Sequence, residues 1–474
     1  MIYSTIPAKN RAGLIKFIAV LLIIFIATAL PAQQIAPFQE GDRAVFLGNS
    51  ITDGGHYHSY IWLYYMTRFP GSPIRIFNAG IGGDRAPDMY KRLDGDVFSK
   101  QPTVLMVTFG MNDSGYYEYN GDNAAQYGKD RLEECYNNYQ LLEKRLQALP
   151  NVRVVMIGGS PYDQTAQIEN TAFRKKNDVM LQITDFQEVS AQKNHWEFVD
   201  FNRPMTAINE REQKTNPAFT LCGGDRIHPE NDGHMVMAYL FLKAQGFSGR
   251  EVSDVHIDAA KKKIVQSGHC RLSNLKVSPA MVSFDYLAES LPYPLDTVAR
   301  GWMQKKSQRE ATKVVPFMEE MNQEKLKVSG LKGTYRLSID EIIIGEWTAE
   351  QLAEGINLAA ETNTPQYRQA LSVMYLNEER WEIERRFRDY AWVQFNFFQS
   401  RGLLFANNAE ARRIMNEAIP DNPWPLGTMS DVYTRASLPE VRESWERQMD
   451  LLIDMIYTVN QPLTRKIVLK KING

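Results

Sequence analysis

Cysteine is scarce: Cys135, Cys222 and Cys270 are the only three, and they lie far apart. Three widely spaced thiols exclude a disulfide framework and show no Cys-x-x-Cys metal spacing, although one pair could close and leave a thiol over. Charge of one sign is also lacking. The formal net charge is −2, so no overall basic field attracts nucleic acid or an anionic membrane surface. After the first thirty residues no apolar run is long enough to span a bilayer. Internal repeats and low-complexity linkers are missing. What remains is ordinary for a globular protein. A chain of 474 residues with 44% hydrophobic and 23% charged residues can bury a sizeable core and divides into two or three domains.

The N-terminus has a layout of its own. Lys9, Arg11 and Lys16 precede an apolar run over 17–30, and small residues lead to Ala32 before Gln33. Basic start, short apolar middle and small-residue exit predict a secretory signal peptide over 1–32, cleaved after Ala32 or, as the second choice, after Ala29. The run is about fourteen residues against the roughly twenty of a spanning helix. The expected location is therefore secreted or periplasmic, with no stable membrane span once the signal is removed.

Strands and helices alternate over 36–250. Short apolar runs at 44–47, 74–78, 103–109, 152–157 and 197–200 read as strands, and 58–67, 131–149, 171–194 and 231–245 as helices. Alternation predicts a parallel sheet covered on both faces, with ligands at the carboxyl ends of its strands. Ser50, Gly83, Asn112 and Ser160 all follow strands and share that rim. The region 251–474 is expected to be an accessory unit. In it 270–296 read as strand and loop, 297–324 as helix, 325–348 as a β-hairpin, and the rest as mostly helical, with a long helix over 366–400.

Acyl transfer at a serine needs a hydroxyl, a base, a group orienting that base, and donors for the developing oxyanion. Ser50 follows a strand and a glycine turn. Alone it reads more readily as a helix cap than as a nucleophile, and its surroundings do not match the Gly-x-Ser-x-Gly elbow. His228 offers a base, and Asp225, three residues earlier, can reach its Nδ1 across one bend. Gly83 and Asn112 offer a backbone N–H and a side-chain amide as uncharged donors, with the backbone N–H of Ser50 as a third.

Taken together the segments GNSITDGG (48–55), NAGIGGDRAPD (78–88), FGMND (109–113) and DRIHPENDGH (225–234) resemble the four blocks of the SGNH, or GDSL, superfamily of serine esterases and lipases. The resemblance covers roughly 40–250. It implies a flavodoxin-like three-layer α/β/α domain and an acyl-enzyme mechanism without metal or organic cofactor. In it Ser50 is the nucleophile, Asp225 and His228 complete the triad, and Ser50, Gly83 and Asn112 form the oxyanion hole. Asn49 departs from the family, which usually has Asp there.

Other features are read as structural. His56, His58 and His234 lack supporting carboxylates at metal-ligand spacing and are expected to be polar rim or substrate-contact residues. Asp84 and Arg85 suit either a polar substrate or a local salt bridge. The aromatic run 390–398 reads as core, and the charge-rich 378–389 as a solvated helix face laced with ion pairs. The break at 355–359 reads as a helix-terminating turn. Six tyrosines (Tyr57, Tyr60, Tyr64, Tyr116, Tyr117 and Tyr119) favour an acylated carbohydrate substrate through ring stacking. The alternatives are a lipase or acylhydrolase for longer chains, and a non-catalytic glycan-binding protein on the same scaffold.

Overall fold

A computed structural model describes residues 35–299 and 305–472. The expected signal peptide lies outside the described residues. Five parallel strands, β1 (Arg43–Gly48), β2 (Arg75–Gly80), β3 (Val104–Phe109), β4 (Arg153–Gly158) and β5 (Glu197–Asp200), pair in the order β2-β1-β3-β4-β5. Period-two alternation divides their side chains between two cores. Ala44, Phe46, Val104 and Met106 face one side, and Val45, Leu47, Leu105 and Val107 the other. Helices α4 (Ala124–Gln147) and α5 (Lys176–Lys193) cover the second face. Helices α2 (Tyr57–Arg68) and α7 (Asn231–Ala244) cover the first. This is the three-layer α/β/α arrangement.

Every residue of α2 is buried, the polar His58, Ser59, Thr67 and Arg68 included, so the helix is covered on all sides. The C-terminal region provides its outer cover. Arg380 lies over the Trp62 ring at 4.5 Å, Asn377 Nδ2 donates to Ser59 Oγ at 2.9 Å, and Asn460 Nδ2 donates to the Met66 carbonyl at 2.8 Å. That region contains two further sheets sharing one core. One orders as β13-β10-β6-β7, from Ser253–Asp258 (β6), Lys263–Gly268 (β7), Glu324–Ser329 (β10) and Ile356–Asn357 (β13). The other is antiparallel and orders as β12-β11-β14-β9-β8, from Cys270–Ser278 (β8), Met281–Ala288 (β9), Thr334–Ile339 (β11), Ile342–Thr348 (β12) and Arg465–Ile472 (β14). Between β13 and β14 lie helices α8 (Pro365–Trp392), α9 (Ala409–Ala418), α10 (Thr428–Ala436) and α11 (Pro439–Val459).

Several sequence expectations change. The helix expected over 171–194 begins only at Lys176, after Lys175 takes a left-handed φ of 68°. Of the helix expected over 297–324, residues 300–304 lie outside the described residues, and the described part holds only two short turns, Gln308–Ala311 and Phe317–Met321, with Pro316 just before the second. The hairpin expected over 325–348 occupies Thr334–Thr348 alone. Glu324–Ser329 pairs in parallel with β6 in the other sheet. The long helix stops at Trp392 and loosens into a wider turn over Val393–Phe398. All three cysteines are free and buried. At 355–359 the chain does turn out of a helix, through Gly355 with φ 107°.

Candidate active site

The nucleophile turn is built by close packing. Asn49 Oδ1 accepts from the Ile51 N–H at 3.0 Å and caps a single helical turn, α1 (Ser50–Asp53), so an amide oxygen serves where the family usually has a carboxylate. A Cβ on Gly48 would fall 2.2 Å from Thr52 Oγ1, so only glycine fits there. Ser50 Oγ lies 2.8 Å from His228 Nε2, and His228 Nδ1 lies 2.6 Å from Asp225 Oδ2. The other Asp225 oxygen accepts from the Ile227 and His228 N–H groups, both at 2.9 Å. Burial pushes the Asp225 carboxyl up, but the imidazole and backbone donors outweigh it and hold it below the usual carboxylate range.

Sequence reading missed the residue that shapes this loop. Arg226 takes a left-handed φ of 69° and is buried. Its guanidinium donates to the carbonyls of Asn170 (2.7 Å), Ala166 (2.8 Å) and Asp163 (3.1 Å). These bonds fix the bend that turns Asp225 back onto His228. An arginine set between the two triad residues was the available signal.

The loop after β2 lies against the nucleophile turn: a Cβ on Gly82 would stand 4.0 Å from the Ser50 Cβ. Gly83 has φ 87°, and beyond its two chain neighbours no atom lies within 4 Å of where a side chain would start. Asn112 Nδ2 donates one hydrogen to the Asp84 carbonyl at 2.9 Å, while Tyr116 Oη donates to Asn112 Oδ1 at 2.5 Å. The second amide hydrogen of Asn112 remains for a ligand. Asp113 joins the two loops by accepting from the Ala86 and Gly110 N–H groups, both at 2.9 Å. Lys176 Nζ ties the Asn112 loop down, donating to the Met111 and Gly115 carbonyls at 2.6 and 2.5 Å. Ser50, His228, Asp225, Gly83 and Asn112 thus gather on one rim. Ser160 follows β4 as expected but is buried, with an unpartnered Oγ.

A cavity of about 240 Å³ opens beside Ser50 and His228. Gly54, His56, Asn231 and His234 line it, and α8 closes it with Trp381, Glu382 and Arg385. Trp381 is buried, its ring centroid 4.2 Å from His56, with the Arg385 guanidinium 5.2 Å over it. The stretch 378–389 is therefore not simply a solvated face. Arg380, Glu384 and Arg388 are buried, and Trp381 reaches the site. His58 is buried against the Thr52 carbonyl at 3.1 Å, and burial pulls its pKa down to about 4, so it is neutral. Among the described residues no group of three or more His, Cys, Asp or Glu side chains is placed to hold a metal ion. Asp84 pairs with Arg92 at 2.6 Å and Arg85 with Glu134 at 3.4 Å, which are local salt bridges. Of the six tyrosines expected to stack on sugars, Tyr57, Tyr60, Tyr64 and Tyr119 are core residues, and only Tyr117 is widely exposed.

The parallel sheet and the four loops at its rim define an esterase architecture, and the chain belongs to the SGNH/GDSL superfamily of serine esterases and lipases. The GDSL-like lipase/acylhydrolase family model matches residues 46–236, and the diltiazem deacetylase C-terminal helical domain model matches residues 371–461. The solved structure of a gut microbial diltiazem-metabolizing enzyme is similar at 62% identity and a TM-score of 0.92, covering 93% of this chain and 100% of that one. An acetylxylan esterase of Geobacillus stearothermophilus is 26% identical over 222 residues, 44% of this chain and 95% of its own length. A crystal structure of an acetylxylan esterase from that organism aligns at 24% identity and a TM-score of 0.36, over 44% of this chain and 96% of that one. The protein is a hydrolase acting on ester bonds.

Proposed function

We propose that the protein is a serine acetylesterase. Ser50 Oγ attacks the ester carbonyl and passes its proton to His228 Nε2, while Asp225 stays ionised and holds the Nδ1 hydrogen. The tetrahedral oxyanion accepts from the N–H groups of Ser50 and Gly83 and from the free amide hydrogen of Asn112. Collapse breaks the bond to the alcohol oxygen, which takes the proton from His228 Nε2. Water, deprotonated by His228, then attacks the acyl-Ser50; acetate leaves and Ser50 recovers its hydrogen. The observation that carries this reading is the unbroken chain Asp225–His228–Ser50, at 2.6 and 2.8 Å.

A short acyl group fits the surroundings. Behind the nucleophile turn, Ile51, Thr108, Phe109 and Met111 pack around a void of only about 10 Å³, so no tunnel for a long chain runs into the core there. The cavity beside His228 is mixed in its lining, with Glu230, Asn231, Glu382 and Arg385 beside Ile51 and Trp381, and is not the continuous apolar groove of a lipase. The alcohol leaves from the His228 side, so that cavity is its proposed seat. An acetylated carbohydrate is one candidate, supported by the acetylxylan esterase relative. A compact non-sugar acetate is the other, supported by the diltiazem-metabolizing relative and by the closure of the cavity by α8. Secretion and the domain limits 36–250 and 251–474 belong to the same proposal.

The test is acetate release from a panel of acetylated oligosaccharides, polysaccharides and small-molecule acetates, beside 4-nitrophenyl esters of rising chain length. Ser50→Ala and His228→Ala are expected to abolish turnover of 4-nitrophenyl acetate. Asn112→Ala should raise the barrier by roughly 2.7–4 kcal/mol. Activity that climbs from acetate to octanoate would overturn the short-chain reading. Normal turnover by folded Ser50→Ala would overturn the mechanism.

A further inference from the structure

We infer that the C-terminal helix α8 is part of the catalytic apparatus: Arg388, seated on Asp96, holds the loop that presents Gly83 to the oxyanion. The inference rests on the oxyanion role proposed for that loop. Gly83 sits between residues whose positions are fixed by external bonds. Gly82 N donates to Asp53 Oδ2 at 3.0 Å, and the Asp84 carbonyl receives Asn112. Ile81 N also donates to the Gly48 carbonyl at 3.1 Å, and further bonds come from the C-terminal region, directly or through Asp96. Arg388 Nη1 donates to the Gly80 carbonyl at 3.3 Å and to Asp96 Oδ2 at 3.0 Å, and Nη2 donates to Asp96 Oδ1 at 2.7 Å. Asn396 Nδ2 reaches the Gly82 carbonyl at 3.4 Å.

Asp96 is the hub. It also accepts from Arg92 Nη1 at 2.6 Å, while Arg92 donates to Asp84 Oδ2 at 2.6 Å and to the Gly48 carbonyl at 3.0 Å. One buried network thereby links the oxyanion loop, the strand end before Ser50, and α8. Lys100 Nζ also lies on Asp96, 2.6 Å from Oδ1, but bonds to no residue of the oxyanion loop or of α8 and so stands outside the chain of bonds that holds Gly83. Arg388 and Asp96 are each only 4% exposed, and a buried pair of that kind gives little net stability over a well-packed apolar pair. What a planar guanidinium provides and an apolar residue does not is a fixed fork on the carboxylate plus a donor for Gly80. Arg388 is thus a positioning residue that acts through the loop.

The experiment measures kcat and KM for 4-nitrophenyl acetate in Arg388→Met, Arg388→Lys, Lys100→Met, Asn112→Ala and the Arg388→Met/Asn112→Ala double variant, at a temperature where circular dichroism shows each folded. Arg388→Lys keeps a charge on Asp96 but not the fork, and serves if Arg388→Met does not fold. Arg388 variants should lose about tenfold or more in kcat, the scale of a disturbed oxyanion donor, with KM within about twofold. Lys100→Met should keep kcat. The double variant should lose less than the product of the single losses, because both residues act on one group. Wild-type kcat in a folded Arg388 variant, an equal loss in Lys100→Met, or strictly multiplicative losses would overturn the inference. Wild-type kcat in Asn112→Ala would instead sink the underlying oxyanion reading, so the two failures are distinguishable.

Discussion

Arg226 pays in backbone conformation for what its side chain does. A left-handed φ at a long side chain costs roughly 1 kcal/mol, and glycine would adopt it freely. The guanidinium bonds to four carbonyls from 163–170 offset that cost and anchor the Asp225–His228 bend. Arg226→Gly should therefore relax the backbone yet lose about tenfold or more in kcat and about 2 kcal/mol in stability, because the buried carbonyls lose a charged donor. Urea unfolding beside steady-state kinetics measures both, and unchanged values would show that the bend stands without the clamp. The candidate site was largely legible at this scale because acyl transfer demands particular residue types after strands. Arg226 and Trp381 were not, since neither type carries that chemistry by itself.

Among elements, the parallel sheet was readable because a strand buried on both faces needs an unbroken apolar, β-branched run, as in 104–109. Helix α8 was misread for an equally physical reason. Arg380, Glu384 and Arg388 recur every four residues, and that spacing places charges on one helix face without saying what the face meets. Here it meets the hydrolase core: Glu384 accepts from the Asn78 N–H at 2.8 Å and pairs with Arg380 at 2.8 Å. The short turns in 297–324 and the parallel partner of β10 depend on contacts distant in sequence, which no local period records.

Across the whole molecule, Glu324 joins three parts. It lies in β10, accepts from Tyr286 of the antiparallel sheet at 2.8 Å, and accepts from Gln366 of α8 at 3.0 Å. Its second oxygen is buried without a partner, and burial pushes its carboxyl up to about 7. A carboxyl raised in the fold stabilises most below its ordinary value of 4.5, and that contribution is lost as pH rises through about 7. Relative to wild type, Glu324→Gln should therefore gain stability between pH 5 and 8, by at most about 3 kcal/mol. Melting temperatures across that range test this; parallel curves for the two proteins would refute it.

Strand β14 is central in its sheet, between β9 and β11, and its register pairs Arg465 with Tyr286 and Lys471 with Tyr335. The helices α8–α11 are therefore an insertion into a β-unit and not a tail that can be trimmed away. A chain ending before residue 465 should elute as aggregate in size-exclusion chromatography, and a soluble, active monomer would contradict that expectation. The same placement sets the timetable of biosynthesis. As the polypeptide leaves the ribosome, β9 and β11 emerge long before their shared neighbour, and each presents an open edge that any extended segment can fill. Maturation of this half of the protein thus waits on β14, and a nascent chain must be kept from pairing with another copy until that strand arrives.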